Sequence, residues 1–354
     1  MINFLKEIWN KIKKSSFKLK IIISLILVLY LFVITVTTVS INMFSKDDYY
    51  LLTPGEISRV DNVIKTDTIH NSGDIYTISV YEFRKVSLLQ YWIAKGSSNY
   101  QVGIDNESYL SNEELLIQGT IMKDNSITNS IIVAYQEASK VNSNVTIDYD
   151  FIGIIVHSVS ELAKGDIKQS DIITKVNDVT FNSQDEFIQL LEGAKSNMNI
   201  DLTVLREEQE IQVQTSFYTS EGSIFLGING YEHYKINSAT PDYNTYSNNT
   251  TGPSGGFMQS LAIYNSLIAK DITNGKRIVG TGTISVDGTV GIIGGVKQKV
   301  ITANTYNADY MFVPPANYQD AINQYELLKN PSFPKPISIS NFTEAIAFLE
   351  GLVE

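Results

Sequence analysis

From Ile21 to Ile41 the chain reads IIISLILVLYLFVITVTTVSI, without one charged residue. At about 1.5 Å per helical residue, roughly 20 such residues cross a hydrocarbon layer of about 30 Å. A spanning helix over residues 21–43 is therefore expected, with the segments on its two sides separated by a membrane. Lys6, Lys11, Lys13, Lys14, Lys18 and Lys20 precede it against a single Glu7, while Asp47 and Asp48 come after it. The basic flank stays cytoplasmic, so residues 1–20 read as a cytoplasmic tail and the rest as extracellular. A cleavable signal peptide would carry a shorter apolar core, about 7–15 residues, and a small-x-small site. Ser40-Ile41-Asn42 matches such a site poorly, and an uncleaved anchor is the better reading.

The 354 residues hold 27 Lys and Arg against 38 Asp and Glu, a formal charge of −11. Without the tail's six lysines and one glutamate, 21 basic and 37 acidic residues remain, net −16. That argues against nucleic acid as a partner. Hydrophobic residues at 43% and charged residues at 18% support packed cores in two or three domains. The absence of cysteine excludes disulfides, thiolate zinc sites, iron–sulfur clusters and a cysteine nucleophile. Any nucleophile must be an alcohol, an amine or a carboxylate. An acidic, cysteine-free outer part with three histidines fits a bacterial cell surface.

Residues 44–147 form a first block. Asp74 to Phe83 (DIYTISVYEF) reads as a strand after Gly73. Ser111 to Ala138 reads as a helix with Ser111 as its cap. Nothing in this block looks catalytic. Residues 148–217 form a compact α+β unit: strand Gly153 to Val159, a Gly165-Asp166 turn, strand Asp171 to Val176, a tight turn at Asn177-Asp178 and a closing strand from Asn199 to Leu205. Ser183-Gln184-Asp185-Glu186 has the form of a capping box opening a helix with Phe187, Leu190 and Leu191.

The run Phe151-Ile152-Gly153-Ile154, then Lys164-Gly165-Asp166, then Ser170 to Asp178 makes this unit resemble a PDZ domain of the bacterial protease type. The resemblance implies a groove lined by Phe151, Ile152, Gly153 and Ile154 with Phe187 and Leu190 on the helix from Gln184 to Leu191, to which a peptide adds as a strand. Asp178 stands where glycine is usual. A small α+β domain with a closed groove is the plainer alternative.

Tyr234 to Thr251 is rich in Asn, Thr and Tyr and reads as an irregular loop. It leads into Gly252-Pro253-Ser254-Gly255-Gly256, after which Phe257, Leu261, Tyr264 and Ile268 share a helix face. Ser254 thus sits at a helix N-terminus, where free amides can hold an oxyanion. Taken alone, the pentapeptide equally suits an ordinary serine cap. It also fits G-x-S-x-G, but the hydrolase elbow needs an apolar strand before the serine and a histidine after it. Here His70, His157 and His233 all precede Ser254, and they read as structural rather than as metal ligands.

Without histidine or cysteine, a serine nucleophile needs another base, and lysine is the known substitute. Gly294-Gly295-Val296-Lys297-Gln298-Lys299-Val300 opens a helix after a hairpin-like stretch, Ile278 to Gly291, with an Asp287-Gly288 turn. Val296, Val300 and Ala303 share a face, with Lys299 nearer its centre than Lys297. Burial would lower the pKa of such an ammonium. A solvated lysine pair is the alternative for this motif by itself.

GPSGG at 252–256, Thr281-Gly282-Thr283-Ile284-Ser285, Ile293 to Lys299 and the strand Ala308 to Pro314, in this order, make residues 222–354 resemble the proteolytic domain of Lon-type proteases. The resemblance implies Ser254 as nucleophile, Lys299 as general base, Thr281 as a hydroxyl orienting the lysine and the Gly255 amide at the oxyanion. Thr251 stands where the ATP-driven members carry Asp, and Gly255 replaces the usual Ala. No phosphate-binding loop exists; Gly275-Lys276-Arg277 lacks the leading glycine and the hydroxyl.

An α+β chain with one anchor, a PDZ unit and a Lon-type domain resembles the membrane-anchored PDZ-containing serine proteases of Gram-positive bacteria. That resemblance implies that residues 44–147 belong to the proteolytic fold. It further implies an ATP-independent endopeptidase, needing no metal, nucleotide or nicotinamide, that cleaves extracellular peptides or unfolded segments recruited by the PDZ domain. A non-catalytic PDZ adaptor and a Ser-Lys amidase or esterase acting on cell-wall substrates are the rival readings.

Overall fold

The computed structural model describes residues 6, 16–43, 45–66, 74–105, 110–246 and 250–352. Glu7, Lys11, Lys13, Lys14, His70 and Gly73 lie outside them, as do the side chains of Asp47 and Asp48. The chain forms two compact units, residues 1–52 with 82–108, and residues 53–81 with 109–354.

The elements run in order α1 (Phe17–Met43), β1 (Ser45–Arg59), β2 (Ile64–Thr66), β3 (Ile75–Ser87), α2 (Leu88–Lys95), β4 (Gln101–Ile104) and α3 (Asn112–Ser139). Then come β5 (Thr146–Val159), β6 (Ile172–Val176), β7 (Val179–Thr180), α4 (Gln184–Leu190), β8 (Asn199–Arg206), β9 (Gln209–Ser216), β10 (Tyr218–Ser220), β11 (Ser223–Phe225), β12 (Ile228–Thr240) and β13 (Tyr243–Thr245). The last stretch holds α5 (Gly256–Leu267), β14 (Ile278–Gly280), β15 (Thr283–Ile284), β16 (Val290–Gly291), α6 (Val296–Thr305), β17 (Tyr310–Val313), α7 (Pro315–Leu328), β18 (Ile337–Ser338) and α8 (Phe342–Gly351).

In the first unit, α1 is a single helix, and its stretch Phe17–Val39, of mean hydropathy 2.8, is long and apolar enough to cross a membrane. Its threonines do not interrupt it, because Thr35, Thr37 and Thr38 donate to the carbonyls of Leu31, Val33 and Ile34 one turn back. Tyr49 to Leu52 of β1 pair antiparallel with Gln101 to Ile104 of β4. A small core of Leu51, Val86 and Ala94, with Tyr49 edge-on to Tyr91, packs there.

Two sheets organise the second unit. Ile278 to Gly280 of β14 lie parallel between Ile75 to Thr77 of β3 and Tyr310 to Phe312 of β17, and β18 follows β17. Both faces of this sheet are covered. One meets the core around Phe257, Leu261, Ala262 and Tyr135, the other the core around Val296, Val300 and Ala303. This is why IVG and YMFV are continuous apolar runs and not alternating ones. Ser111 opens α3 with a capping box, its hydroxyl accepting from the Glu114 amide at 3.2 Å while Glu114 accepts from the Ser111 amide.

The second sheet is antiparallel, in the order β12-β5-β6-β8-β9, over a core that includes Ile154, Val156, Ile173, Phe187, Leu202 and Val213. Asn177 and Asp178 both have positive φ, 48° and 63°, in the two-residue turn between β6 and β7. Three local expectations are corrected. Ser183 caps the Glu186 amide, but Glu186 accepts from the Asn182 amide and not from Ser183. The segment after Tyr234 is largely strand, because Tyr234 to Thr240 pair with Phe151 to Thr146 of β5 and Tyr243 to Thr245 with β2. Tyr, Ile and Thr favour a pleated surface once a partner strand is supplied. Finally, Ile278 to Gly291 is not one hairpin: β14 joins the parallel sheet, and only β15 and β16 pair across the Asp287-Gly288 turn.

Asp171, 1% exposed, accepts from Arg206 Nε at 2.7 Å and Nη2 at 2.8 Å and from the Lys168 amide. Arg206→Ala is expected to destabilise the second unit by about 3–5 kcal/mol, since it leaves a buried carboxylate unpaired. Lys175→Ala, which breaks the exposed pair with Glu210, should cost no more than about 1 kcal/mol. Urea unfolding midpoints of the two variants against the parent measure the contrast.

Candidate active site

Ser254 lies on the turn into α5, and three parts of the chain hold that turn. Gly252, at φ +84°, donates its amide to the Gly119 carbonyl at 2.9 Å. Ser126 of α3 donates its hydroxyl to the Pro253 carbonyl at 2.9 Å. The Ser254 carbonyl accepts from the Gly282 amide at 2.9 Å and from the Thr281 hydroxyl at 3.0 Å. The glycines allow the approach: a side chain at Gly256 would meet Ser126 Oγ, and one at Gly282 would meet Val290 and Phe257. Gly255 is the N-cap of α5, so its amide lies at the positive end of a twelve-residue helix.

Lys299 comes from the first turn of α6, which opens at Gly295 in the left-handed conformation, φ +67°. Its ammonium donates to Ser254 Oγ at 2.8 Å and to Thr281 Oγ1 at 2.8 Å. The lysine is 2% exposed, and burial pushes its pKa from the ordinary range down to about 7. Lys297, two residues earlier on the same helix, points elsewhere: its ammonium is 3.4 Å from Asp320, with the side chain 44% exposed. The structure therefore brings Ser254, Lys299 and Thr281 into one hydrogen-bonded group and leaves Lys297 out of it.

Such a group can move a proton. A neutral amine 2.8 Å from a hydroxyl is in range to accept its proton, and the Thr281 oxygen fixes where the amine points.

The chain carries a PDZ domain and a Lon-type proteolytic domain. Residues 122–217 match the PDZ domain family, and residues 203–331 match the Lon protease (S16) C-terminal proteolytic domain. Among curated proteins, the peroxisomal Lon protease homolog 2 of Kluyveromyces lactis is 26% identical over 247 residues, covering 61% of this chain and 24% of that relative. The Lon protease of Aster yellows witches'-broom phytoplasma is 32% identical over 87 residues, covering 25% of this chain and 11% of that protein. The chain thus spans a quarter or less of the length of these relatives. Among solved structures, the PDZ domain of the SdrC-like protein of Listeria innocua is 22% identical at a TM-score of 0.22, over 23% of this chain and 96% of that domain. Its counterpart from Listeria monocytogenes is 18% identical at 0.21, over 23% of this chain and 88% of that domain.

In the PDZ domain, Phe151, Ile152, Gly153 and Ile154 lie on β5. One edge of that strand pairs with β12, Tyr234 opposite Phe151, His233 opposite Gly153 and Glu232 opposite Ile154. On its other edge, Ile154 pairs with Ile173 of β6. The open edge expected at residues 151–154 is therefore taken by the chain itself. Phe187 and Ile154 are buried in the core, with Phe151 and Leu190 packed against it. A side chain at Gly153 would meet the Ile173 carbonyl, so a bulky residue there disrupts the sheet before it tests any groove.

A cleft of about 300 Å³ opens beside the Ser254 turn, lined by Pro253, Asn125, Ser126, Asn129, Ile284 and Gly291 among others. The contribution of α3 to it has a sequence trace: Asn125, Ser126, Asn129 and Ser130 recur at three- and four-residue spacing amid apolar neighbours. That polar stripe is readable, but no motif marks it.

The Lys299 amine is expected to titrate near 7, against about 10.4 for an ordinary lysine. The Cε shift of Lys299 followed by NMR in lysine-labelled protein reads this directly, and a midpoint near 10 would contradict the burial argument.

Proposed function

We propose that the chain is a membrane-anchored serine endopeptidase that works without nucleotide, with Ser254 as nucleophile and Lys299 as general base. The observation that carries the reading is the buried Lys299 ammonium 2.8 Å from Ser254 Oγ. In its neutral form the amine takes the Ser254 proton as Oγ attacks a peptide carbonyl. The Gly255 amide at the start of α5 stabilises the oxyanion. The resulting ammonium then protonates the leaving amine, and the neutral amine activates the water that releases the acyl group. Thr281 keeps Nζ aimed at Ser254 throughout.

In this reading α1 is the anchor over 21–43, the tail 1–20 is cytoplasmic, and residues 44–354 act outside the cell on peptides or unfolded segments. Residues 148–217 are the PDZ domain, residues 222–354 the Lon-type domain, and residues 44–147 complete the proteolytic fold. Recruitment of substrate by the PDZ domain at β5 requires β12 to leave that strand. With β12 in place, the PDZ region instead lends Gln184, Tyr231 and Glu232 to the wall of the cleft beside Ser254.

The test is casein and peptide cleavage by the full chain in detergent, without ATP. Ser254→Ala and Lys299→Arg should each lower kcat/KM by about a thousandfold or more, since arginine keeps its charge and cannot act as a base. The parent's kcat should rise with pH through about 7, because the working form of Lys299 is the deprotonated one above its pKa. Cleavage that persists in either variant, or a rate that falls as pH rises through 7, would sink the assignment.

A further inference from the structure

The cleft beside Ser254 is walled by hydrogen-bond acceptors that lack donors. Asn125 is 6% exposed, and its Oδ1 is buried without a partner. Asn129 Nδ2 donates to the Ile284 carbonyl at 3.1 Å, which fixes the amide's orientation and leaves its buried Oδ1 as an unpartnered acceptor. A buried acceptor left unpaired costs about 1–3 kcal/mol, and both asparagines line the cleft. A bound molecule rich in N–H groups is what this wall lacks.

Charge points to the same class of ligand. Glu232 lines the cleft and also a second hollow of about 860 Å³ that continues from it past Gln184, Ser285 and Val286. The second hollow adds Glu137, Asp185 and Asp287. Among the described residues, neither hollow is lined by a lysine or an arginine. Glu137 is paired with Lys140 outside the hollow. Glu232 accepts from the Gln184 amide at 2.9 Å and from the Tyr234 hydroxyl at 2.8 Å. Those neutral donors orient its carboxylate without cancelling its charge.

We propose that this cleft selects cationic peptides, with Asn125 and Asn129 accepting N–H groups of an extended chain and Glu232 receiving a lysine or arginine side chain next to the reacting bond. The inference rests on the peptidase reading for the ligand being a peptide. The acceptor wall and the carboxylates stand on geometry that does not depend on Ser254 chemistry.

Binding separates the two. Three fluorescein-labelled octapeptides with a common frame carry two lysines, two norleucines or two glutamates, and anisotropy reads their affinity for full-length Ser254→Ala in detergent. The lysine peptide should bind at least tenfold more tightly than the glutamate peptide. Adding Glu232→Gln should remove most of that ratio while leaving the norleucine peptide within twofold. Asn125→Leu should weaken all three together. Glu208→Gln, which neutralises an exposed turn of the PDZ domain, controls for the overall acidic charge and should leave the ratio intact. Affinities within twofold of one another, no binding at all, or a ratio unmoved by Glu232→Gln would each overturn the proposal. If the parent cleaves nothing while the ratio holds, the peptidase reading fails and the cleft's preference stands. If the parent cleaves all three at equal kcat/KM, the preference fails and the peptidase reading stands.

Discussion

A lysine that is 2% exposed, with its amine held between two hydroxyl oxygens, is the constraint around which the second unit is built. An ammonium costs several kcal/mol to remove from water unless it is paired or neutralised. No carboxylate neutralises this one, since burial alone accounts for its lowered pKa. The surroundings must therefore be both apolar enough to desolvate the amine and exact enough to hold two oxygens within hydrogen-bond reach of it. Val296 and Val300 seat α6 against the sheet, and the Thr281 amide is tied to the Phe312 carbonyl of β17. The Ser254 carbonyl is clamped by Thr281 and Gly282. Each of these contacts places an atom of the Ser254, Lys299 and Thr281 group, and the glycines at 256 and 282 are what let the backbones come that close.

β12 is the second organising element. It completes the PDZ sheet along the whole of β5, from Ile228 opposite Val159 to Thr240 opposite Thr146, and the chain then runs through β13 to the Ser254 turn. The same strand thus closes the PDZ edge and brings Tyr231 and Glu232 to the cleft. Displacing β12 to open β5 would also move those two side chains. The PDZ domain and the cleft are coupled by covalent geometry, whatever ligand either of them takes.

Much of this is legible from sequence because the site uses residues with few substitutes. GPSGG, Thr281 and Lys299 are spaced by the elements that carry them, and the helical wheel by itself favours Lys299 over Lys297. Contacts between distant segments are what local patterns do not carry. Ser126 holds Pro253 from 127 positions away, and α3 supplies a wall of the cleft although nothing in its local sequence marks a site. The stretch after Tyr234 reads as irregular because its strand character depends on a partner some ninety residues earlier. Local propensity sets the capping boxes well, yet even there Glu186 takes the Asn182 amide over the Ser183 amide.

An acidic cleft beside a neutral lysine poses an electrostatic problem that the fold resolves by separation. A carboxylate within about 4–6 Å of Lys299 would favour the ammonium and raise its pKa, which would leave the amine unable to accept a proton near neutral pH. None acts on it. The carboxylates begin at Glu232 on the PDZ side of the cleft and continue into the second hollow, while the group around Lys299 contains only hydroxyls. Water and the intervening polar wall weaken the field over that path. The arrangement lets one cleft attract positive charge at its far end and keep an uncharged base at the other.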